Sequence, residues 1–196
     1  MVAFTGLVLA AGRGTRFDPS GQHNKLLATL PNGQSVLKSA CLALAPHVDE
    51  MVVVLRAPSA RIQAELADLG VRFVYSPQAD AGLGYSLAHG IAQTQPTKAW
   101  VVTLGDMPFI GAASYKRLIA TFEQKGGIVR PTYQGQIGHP VLFAAQLKPA
   151  LQQVEHADGP KHLFRQYQHL SQTVAVPDAG VCADIDYPEH LVAPLN

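Results

Sequence analysis

Cysteine is scarce in this chain, and long apolar runs are absent. Cys41 and Cys182 are the two cysteines among 196 residues, which is too few for a disulfide framework. We interpret both as small buried apolar residues of a protein in a reducing compartment, not as a bridge or a reactive pair. No apolar stretch approaches the roughly 20 residues that span a bilayer. We therefore expect a cytoplasmic protein that does not act at a membrane.

Charge is also scarce, and it is nearly balanced. Charged residues make up 15% of the chain, and the formal net charge is +1. A dedicated nucleic-acid binder needs a clustered cationic face, so this class is disfavoured. Hydrophobic residues reach 47%, a normal share for a folded chain. Because a chain of this length buries enough surface to fold without metal or disulfide support, we expect a single domain over residues 1–196.

Apolar segments of strand length alternate with segments of helical period. The pattern predicts strands at Leu7–Ala10, Met51–Leu55, Val71–Tyr75, Trp100–Leu104, Ile128–Thr132, Val141–Phe143 and Val174–Val176. It predicts helices at Val36–Ala45, Ser59–Leu69, Tyr85–Thr94, Ala112–Lys125, Gln146–Val154, Pro160–Tyr167 and Pro188–Val192. This alternation indicates an α/β fold with a mostly parallel central sheet. Ligands bind beyond the carboxyl ends of such strands, so functional residues are expected just after residues 10, 56, 75 and 104.

A loop of small residues and cations follows the first predicted strand. It contains Gly12, Arg13, Gly14 and Arg16, and Lys25 lies further along the chain. Small residues let backbone N–H groups approach a phosphate chain, and cations neutralise that chain. The dinucleotide fingerprint would need glycine at position 17, where the chain has Phe17, and the P-loop pattern is absent. The segment therefore indicates either another kind of phosphate-binding loop or a flexible surface loop with solvated arginines.

Two acidic segments supply candidate metal ligands. Asp106 follows the fourth predicted strand, and aspartate is a hard oxygen ligand suited to Mg²⁺. Its alternative role is to cap the turn before Pro108. Asp184 and Asp186 are two residues apart and point the same way if the chain is extended, so one of them is a candidate second ligand. Alternatively, Asp186 caps the short helix that begins near Pro188.

Two glycine-containing segments are candidate substrate contacts. Gly82 and Gly84 precede the third predicted helix, where the backbone either approaches a base or ribose or merely gives a flexible helix start. Gly138, His139 and Pro140 form a turn in apolar surroundings. His139 is interpreted either as a contact to a phosphate or pterin-like ring, or as a histidine satisfied by backbone groups.

Taken together, these motifs resemble those of the MobA-like nucleotidyltransferases, and most closely those of the molybdenum-cofactor cytidylyltransferase branch. The family pattern L-A-A-G-x-x-x-R and its downstream lysine match residues 9–16 and 25, and the pattern G-D-M-P matches residues 105–108. The pattern R-P-x-Y-x-G-x-x-G-H-P-V matches residues 130–141, a D-G-a-R-like segment lies at 158–161, and D-x-D-x-P-E matches residues 184–189. The motifs follow in family order over nearly the whole chain.

The resemblance implies a Rossmann-like three-layer α/β/α fold and Mg²⁺-dependent transfer of a nucleoside monophosphate from an NTP, with release of pyrophosphate. It implies catalytic roles for Arg16, Lys25 and Asp106, and metal ligation by Asp106 and Asp186. The expected nucleotide-binding residues are Leu9, Ala10, Ala11, Gly12, Arg13, Gly14, Arg16, Lys25, Gly82, Ser86 and Asp106. The expected acceptor-binding residues are Gly138, His139 and Pro140.

The same resemblance favours CTP over GTP, because the first loop reads Ala-Ala-Gly. It implies a molybdopterin-type cofactor as the acceptor and makes a molybdenum hydroxylase a candidate partner. The chain departs from the family pattern by an insertion at residues 18–24, by Ser76 in place of the common asparagine, and by Lys161 in place of arginine. Three alternatives stay open: a sugar-phosphate or polyol-phosphate acceptor, a GTP-using guanylyltransferase, and a non-catalytic protein that delivers cofactor to a hydroxylase. A Rossmann oxidoreductase is disfavoured by Phe17.

Overall fold

A computed structural model describes residues 2–154 and 161–192 of the chain. These residues contain an eight-stranded sheet. Its strands are β1 (Val2–Leu9), β2 (Glu50–Leu55), β3 (Arg72–Tyr75), β4 (Thr97–Leu104), β5 (Ile128–Tyr133), β6 (Gln136–Ile137), β7 (Val141–Ala144) and β8 (Ser171–Ala175). The α-helices are α1 (Val36–Leu44), α2 (Ala60–Glu65), α3 (Leu83–Ala92), α4 (Ala112–Lys125), α5 (Lys148–Gln152) and α6 (Lys161–Gln166).

The central strands of the sheet are parallel, as the sequence predicts. The strand order is β3-β2-β1-β4-β7-β5-β6, and β8 pairs with β5. Strand β1 pairs in parallel with both β2 and β4, with Leu9 opposite Val54 on one side and opposite Leu104 on the other. The carboxyl ends of three neighbouring strands therefore lie level at one edge of the sheet. Strand β7 runs antiparallel to β4 and β5, and β8 runs parallel to β5.

Helices cover both faces of the sheet, so the fold has three layers. One face buries apolar side chains of α1, α2 and α4, among them Leu37, Leu44, Ile62, Leu118 and Phe122. The other face buries side chains of α3, α5 and α6, among them Leu87, Ile91, Leu151 and Leu163. Helix α3 lies very close to the sheet at Gly90, where an added Cβ would stand 2.7 Å from Val54 Cγ2. The three-layer α/β/α architecture is thus confirmed.

Several element bounds differ from the predicted ones. Strand β8 spans Ser171–Ala175, whereas the sequence predicts Val174–Val176, because pairing with β5 recruits polar residues that carry no apolar signal. The predicted helix Ser59–Leu69 is interrupted near Leu66: α2 ends at Glu65, and a separate 3-10 turn spans Ala67–Leu69. Pro160, and Asp158 with Gly159 of the D-G-a-R-like segment, lie outside the described residues.

The two cysteines are free and differ in burial. Cys41 is buried, as predicted, but the predicted burial of Cys182 is wrong, because that residue is partly exposed. The Cys182 thiol lies 3.7 Å from the carbonyl oxygen of Gln136 at the edge of the fold. Among the helices that the structure describes, none combines the length and apolarity needed to cross a membrane.

Candidate functional site

The first loop begins where β1 ends, between the ends of β2 and β4. Ala10 N–H donates to the Val54 carbonyl, and Gly105 N–H donates to the Leu9 carbonyl, each over 2.9 Å. Gly14 has a φ of +66°, a left-handed conformation that favours glycine. A Cβ on Gly14 would also stand 3.2 Å from Lys25 Cγ. The loop therefore turns back against the lysine stem.

Lys25 lies at the centre of a cluster of charged side chains. Its ammonium donates to Asp106 Oδ2 over 2.5 Å, to the Ile185 carbonyl over 3.0 Å and to Asp186 Oδ1 over 3.4 Å. The residue is 9% exposed, and a 3-10 turn capped by the Asn24 side chain holds it in place. One buried cation thus contacts both carboxylates that the resemblance implies as metal ligands.

Asp186 reaches this cluster through the backbone of its neighbour. Ile185 N–H donates to the Asp106 carbonyl over 2.9 Å, which brings two distant segments of the chain together. Arg16 Nη1 donates to Asp186 Oδ2 over 2.5 Å. Burial acts to raise the pKa of Asp186, but the hydrogen bond from Arg16 and the charge of Lys25 outweigh it and lower that pKa. Asp186 is therefore held as a carboxylate.

Neither Asp106 nor Asp186 caps a turn or helix, which was the alternative role that the sequence allowed for each. The 3-10 turn Pro188–Leu191 has no side-chain cap, so the interpretation of Asp186 as a helix cap is wrong. The backbone closes the turn before Pro108, since Met107 N–H donates to the Leu104 carbonyl over 3.2 Å. Asp106 Oδ1 is buried and has no hydrogen-bond partner among the described residues. One carboxylate oxygen of Asp106 is thus left available for a ligand.

A cavity of about 310 Å³ opens beside this cluster at the carboxyl ends of the central strands. The predicted nucleotide-binding residues that line it are Leu9, Ala11, Gly12, Arg13, Gly82, Ser86 and Asp106. Ala10, Gly14, Arg16 and Lys25 do not line it. Ala10 borders a neighbouring depression of about 620 Å³ with Gly12 and Arg13. Lys25 contacts the lining residue Asp106, whereas Arg16 contacts Asp186, which does not line the cavity.

Arg56 and Asp80 also line the cavity, and the sequence analysis assigned neither. Arg13 Nε and Nη2 donate to the Asp80 carboxylate over 2.8 and 2.7 Å. Arg56 donates to the same carboxylate and, over 2.9 Å, to the Ala11 carbonyl. Arg56 directly follows β2, and ligands of parallel sheets commonly bind beyond the carboxyl ends of the strands. These ion pairs connect the first loop to the segment that follows β3.

A second cavity of about 290 Å³ adjoins the first and shares Leu9 and Leu83 with it. Gly138 and His139 line it, whereas Pro140 is buried and does not. Burial lowers the pKa of His139, and its Nδ1 has no hydrogen-bond partner within the described part of the chain. A backbone hydrogen bond at Val102 also acts on the ring, so both interpretations of His139, as a substrate contact and as a histidine satisfied by backbone groups, stay open.

Gly138 has a packing role as well. An added Cβ there would lie 1.9 Å from the Val181 carbonyl oxygen, so only glycine lets the turn approach that segment. His139 N–H donates to the same carbonyl over 2.8 Å. The turn is thereby fixed against the chain segment that leads to Asp186.

The site offers two carboxylates to a metal ion. Among the described residues, no group of three or more histidine, cysteine, aspartate or glutamate side chains is arranged to hold one. Mg²⁺ commonly takes one or two protein carboxylates and completes its shell with phosphate oxygens and waters. Asp106 and Asp186, with the free Oδ1 of Asp106, fit that pattern.

Solved structures share this architecture. Rv0371c from Mycobacterium tuberculosis H37Rv is 25% identical, with a TM-score of 0.80 over 96% of this chain and 95% of that one, and the same protein has been solved in complex with manganese. A 4-diphosphocytidyl-2C-methyl-D-erythritol synthase from Anaerococcus prevotii is 16% identical, with a TM-score of 0.76 over 96% and 92% of the two chains. Molybdopterin-guanine dinucleotide biosynthesis protein A from Archaeoglobus fulgidus is 18% identical, with a TM-score of 0.67 over 95% and 94%.

Comparison of the sequence with family models shows which family the chain belongs to. A search of curated proteins finds no significant match. The model of the MobA-like NTP transferase domain matches residues 6–172, a span that includes the first loop, Lys25, Asp106 and the Gly138 turn. The chain therefore belongs to the MobA-like NTP transferase domain family of nucleotidyltransferases.

Proposed function

We propose that the protein transfers CMP from CTP to the terminal phosphate of a molybdopterin-type cofactor and releases pyrophosphate. The observation that carries this proposal is the cluster of Lys25, Arg16, Asp106 and Asp186 beside the nucleotide cavity. It joins two carboxylates to two cations at the edge of a parallel sheet, where a phosphorylated ligand is expected. The motifs of the cytidylyltransferase branch supply the choice of CTP and of the acceptor.

We assign Asp106 and Asp186 as the protein ligands of Mg²⁺. Support comes from the buried Asp106 Oδ1 without a hydrogen-bond partner among the described residues and from the lowered pKa of Asp186. When bound, Mg²⁺ supplies Lewis-acid stabilisation of the charge that develops on the phosphates. Lys25 and Arg16 pair with these two carboxylates. When the nucleotide is bound, both cations would also neutralise charge on the triphosphate.

The reaction needs alignment more than acid–base catalysis. A phosphate oxygen of the acceptor forms a bond to the α-phosphorus of CTP, and the bond from that phosphorus to the oxygen bridging the β-phosphate breaks. The acceptor phosphate is largely a dianion near neutral pH, because its second pKa is about 6, so no strong base is required. Positioning and neutralisation of the phosphates are the tasks left to the protein.

The test is pyrophosphate release with Mg²⁺ and molybdopterin cofactor, with CTP, GTP and ATP supplied separately. Release with CTP alone is expected. GTP is included because Asp80 and Arg56 offer a hydrogen-bond acceptor and donors at the cavity, groups that pair with edges of cytosine or guanine. Release with GTP alone would overturn the choice of base. No release from protein that still binds Mg²⁺-CTP would move the search to other phosphorylated acceptors or to cofactor delivery.

His139→Ala is expected to raise the KM for the acceptor while the KM for CTP stays unchanged. His139 lines the second cavity and not the nucleotide cavity, so its removal affects one substrate only. Steady-state kinetics with each substrate varied in turn measure this split. An unchanged acceptor KM would count against the role of His139 in the acceptor wall.

A further inference from the structure

Three charged side chains form a bridge between the first loop and the segments that follow β2 and β3. The Asp80 carboxylate accepts from Arg13 Nε and Nη2 over 2.8 and 2.7 Å, and also from Arg56 Nη1. Arg13, Arg56 and Asp80 line the first cavity and also the neighbouring depression of about 620 Å³. The bridge, defined as these three residues, therefore lies at the boundary between the two spaces.

The three residues of the bridge carry a net positive charge, because two guanidiniums share the carboxylate of Asp80. Burial, together with the charge of Arg13, lowers the pKa of Arg56. Two nearby cations repel each other, and an anion between them stabilises both. Arginine pairs with phosphate in the same forked geometry that it uses for a carboxylate. The two arginines therefore suit a ligand with more negative charge than Asp80 carries.

Asp80 is the member of the bridge that can leave. Its side chain is 57% exposed, and exposed ion pairs contribute little to stability. It lies in the 3-10 turn Ala79–Ala81, which is followed by Gly82 with a φ of +129°, a conformation that glycine adopts readily. Arg56 is held more firmly, because its side chain is 32% exposed and its Nη2 donates to the Ala11 carbonyl over 2.9 Å. Separation of the bridge would therefore move Asp80 and leave Arg56 in place.

We propose that Asp80 competes internally for Arg13 and Arg56, and that the pyrophosphate end of an incoming nucleotide replaces its carboxylate. In the empty protein the bridge is closed. When the phosphates bind, Asp80 leaves both arginines, and the first cavity is joined to the depression beside it. When pyrophosphate departs, Asp80 pairs with the arginines again, which favours release of this product. The proposal rests on the proposed function only in placing a nucleotide in this cavity, and it requires neither CTP nor a particular acceptor.

A fixed Asp80 that reads the edge of the base is the competing assignment. Three N–H groups already use the carboxylate in the closed bridge, so little of its acceptor capacity remains for an amino group of a base. The first cavity, at about 310 Å³, is also at the lower end of the usual range for small-molecule sites, about 300–1,000 Å³. Opening of the bridge enlarges that space, whereas a fixed Asp80 does not.

The first experiment measures binding of inorganic pyrophosphate to the full chain by calorimetry, without nucleotide, acceptor or metal. Asp80→Asn removes the competing charge with little change in shape, and it is expected to bind pyrophosphate about tenfold more tightly than the wild type. That factor corresponds to a bridge that is closed in about nine tenths of the empty molecules. Unchanged or weaker pyrophosphate binding would overturn the proposal, and weaker CTP binding beside it would assign Asp80 to the base.

Two further variants separate competition for the arginines from a general effect of charge. Asp68→Asn is the matched control, because Asp68 is 62% exposed and pairs with Lys38 outside the site, and its pyrophosphate affinity should stay at the wild-type value. Arg13→Gln removes one arginine that Asp80 holds, so Asp80→Asn is expected to gain less affinity in that background. An undiminished gain in the absence of Arg13 would show that Asp80 acts only through its field, and would overturn the proposal.

Asp80→Glu keeps the carboxylate and is expected to bind pyrophosphate as weakly as the wild type. Binding as tight as in Asp80→Asn would contradict competition by the charge of this residue. The proposed function fails separately: it is wrong if CTP and molybdopterin give no pyrophosphate while Asp80→Asn still binds pyrophosphate more tightly than the wild type. The proposal on Asp80 alone is wrong if turnover with CTP is observed and the two proteins bind pyrophosphate equally.

Discussion

Asp106→Asn is expected to lower turnover about 10²–10³-fold, the usual cost of losing one group that stabilises charge in a transition state. The carboxylate follows β4, borders the cavity of about 310 Å³ and keeps one buried oxygen without a hydrogen-bond partner among the described residues. The amide has nearly the same shape but cannot supply the negative charge that Mg²⁺ needs. Pyrophosphate release under saturating substrates measures the effect.

The melting temperature of the Asp106→Asn protein is expected to stay near that of the wild type. Asp68→Asn is the matched control, since Asp68 is 62% exposed and pairs with Lys38 away from the site. That control should retain full turnover. Near-normal turnover of Asp106→Asn would show that the metal assignment is wrong, and a collapsed melting curve would show that Asp106 acts through folding.

Lys25→Met is expected to give a comparable loss of turnover, about 10²–10³-fold, together with a change in metal binding. Its ammonium is the one group that contacts both Asp106 and Asp186 among the described side chains. Without it, two nearby carboxylates repel each other. The variant is therefore expected to melt at a lower temperature than the wild type, and to regain stability when a divalent cation binds.

Manganese titration without nucleotide separates the effect of Lys25 on metal binding from its effect on turnover. Mn²⁺ is expected to bind Lys25→Met more tightly than the wild type, because no ammonium competes for the carboxylates. Lys38→Met removes the lysine of an ion pair outside the site and should leave Mn²⁺ affinity unchanged. Equal Mn²⁺ affinity in wild type and Lys25→Met, with no recovery of melting temperature, would argue that the two carboxylates do not form a joint metal site.

The local pattern was enough to predict the core of the fold. Apolar runs of four or five residues marked β2 and the ends of β1 and β4, because fully buried parallel strands are apolar on both faces. The same pattern predicted only the end of β8, because Ser171, Gln172 and Thr173 become part of a strand only by pairing with β5. It also continued α2 through Leu66, where the structure shows a break.

The candidate site was likewise predicted only in part from the sequence. Motif order in the sequence singled out Asp106, Asp186 and Lys25, but it could not say which of several local roles each aspartate has. A backbone hydrogen bond between Ile185 and Asp106, residues far apart in the chain, decided that both carboxylates meet one ammonium. No local rule carries that information.

Arg56 and Asp80 show the limit most clearly. Neither belongs to a motif of the sequence, since an isolated charged residue has no local pattern. The sequence by itself determined the alternation of strands and helices, the small residues of the first loop and the residue types available at the strand ends. Only the tertiary structure decided which charges are paired and which polar atoms stay unsatisfied, because burial and hydrogen bonding depend on segments brought together from distant parts of the chain.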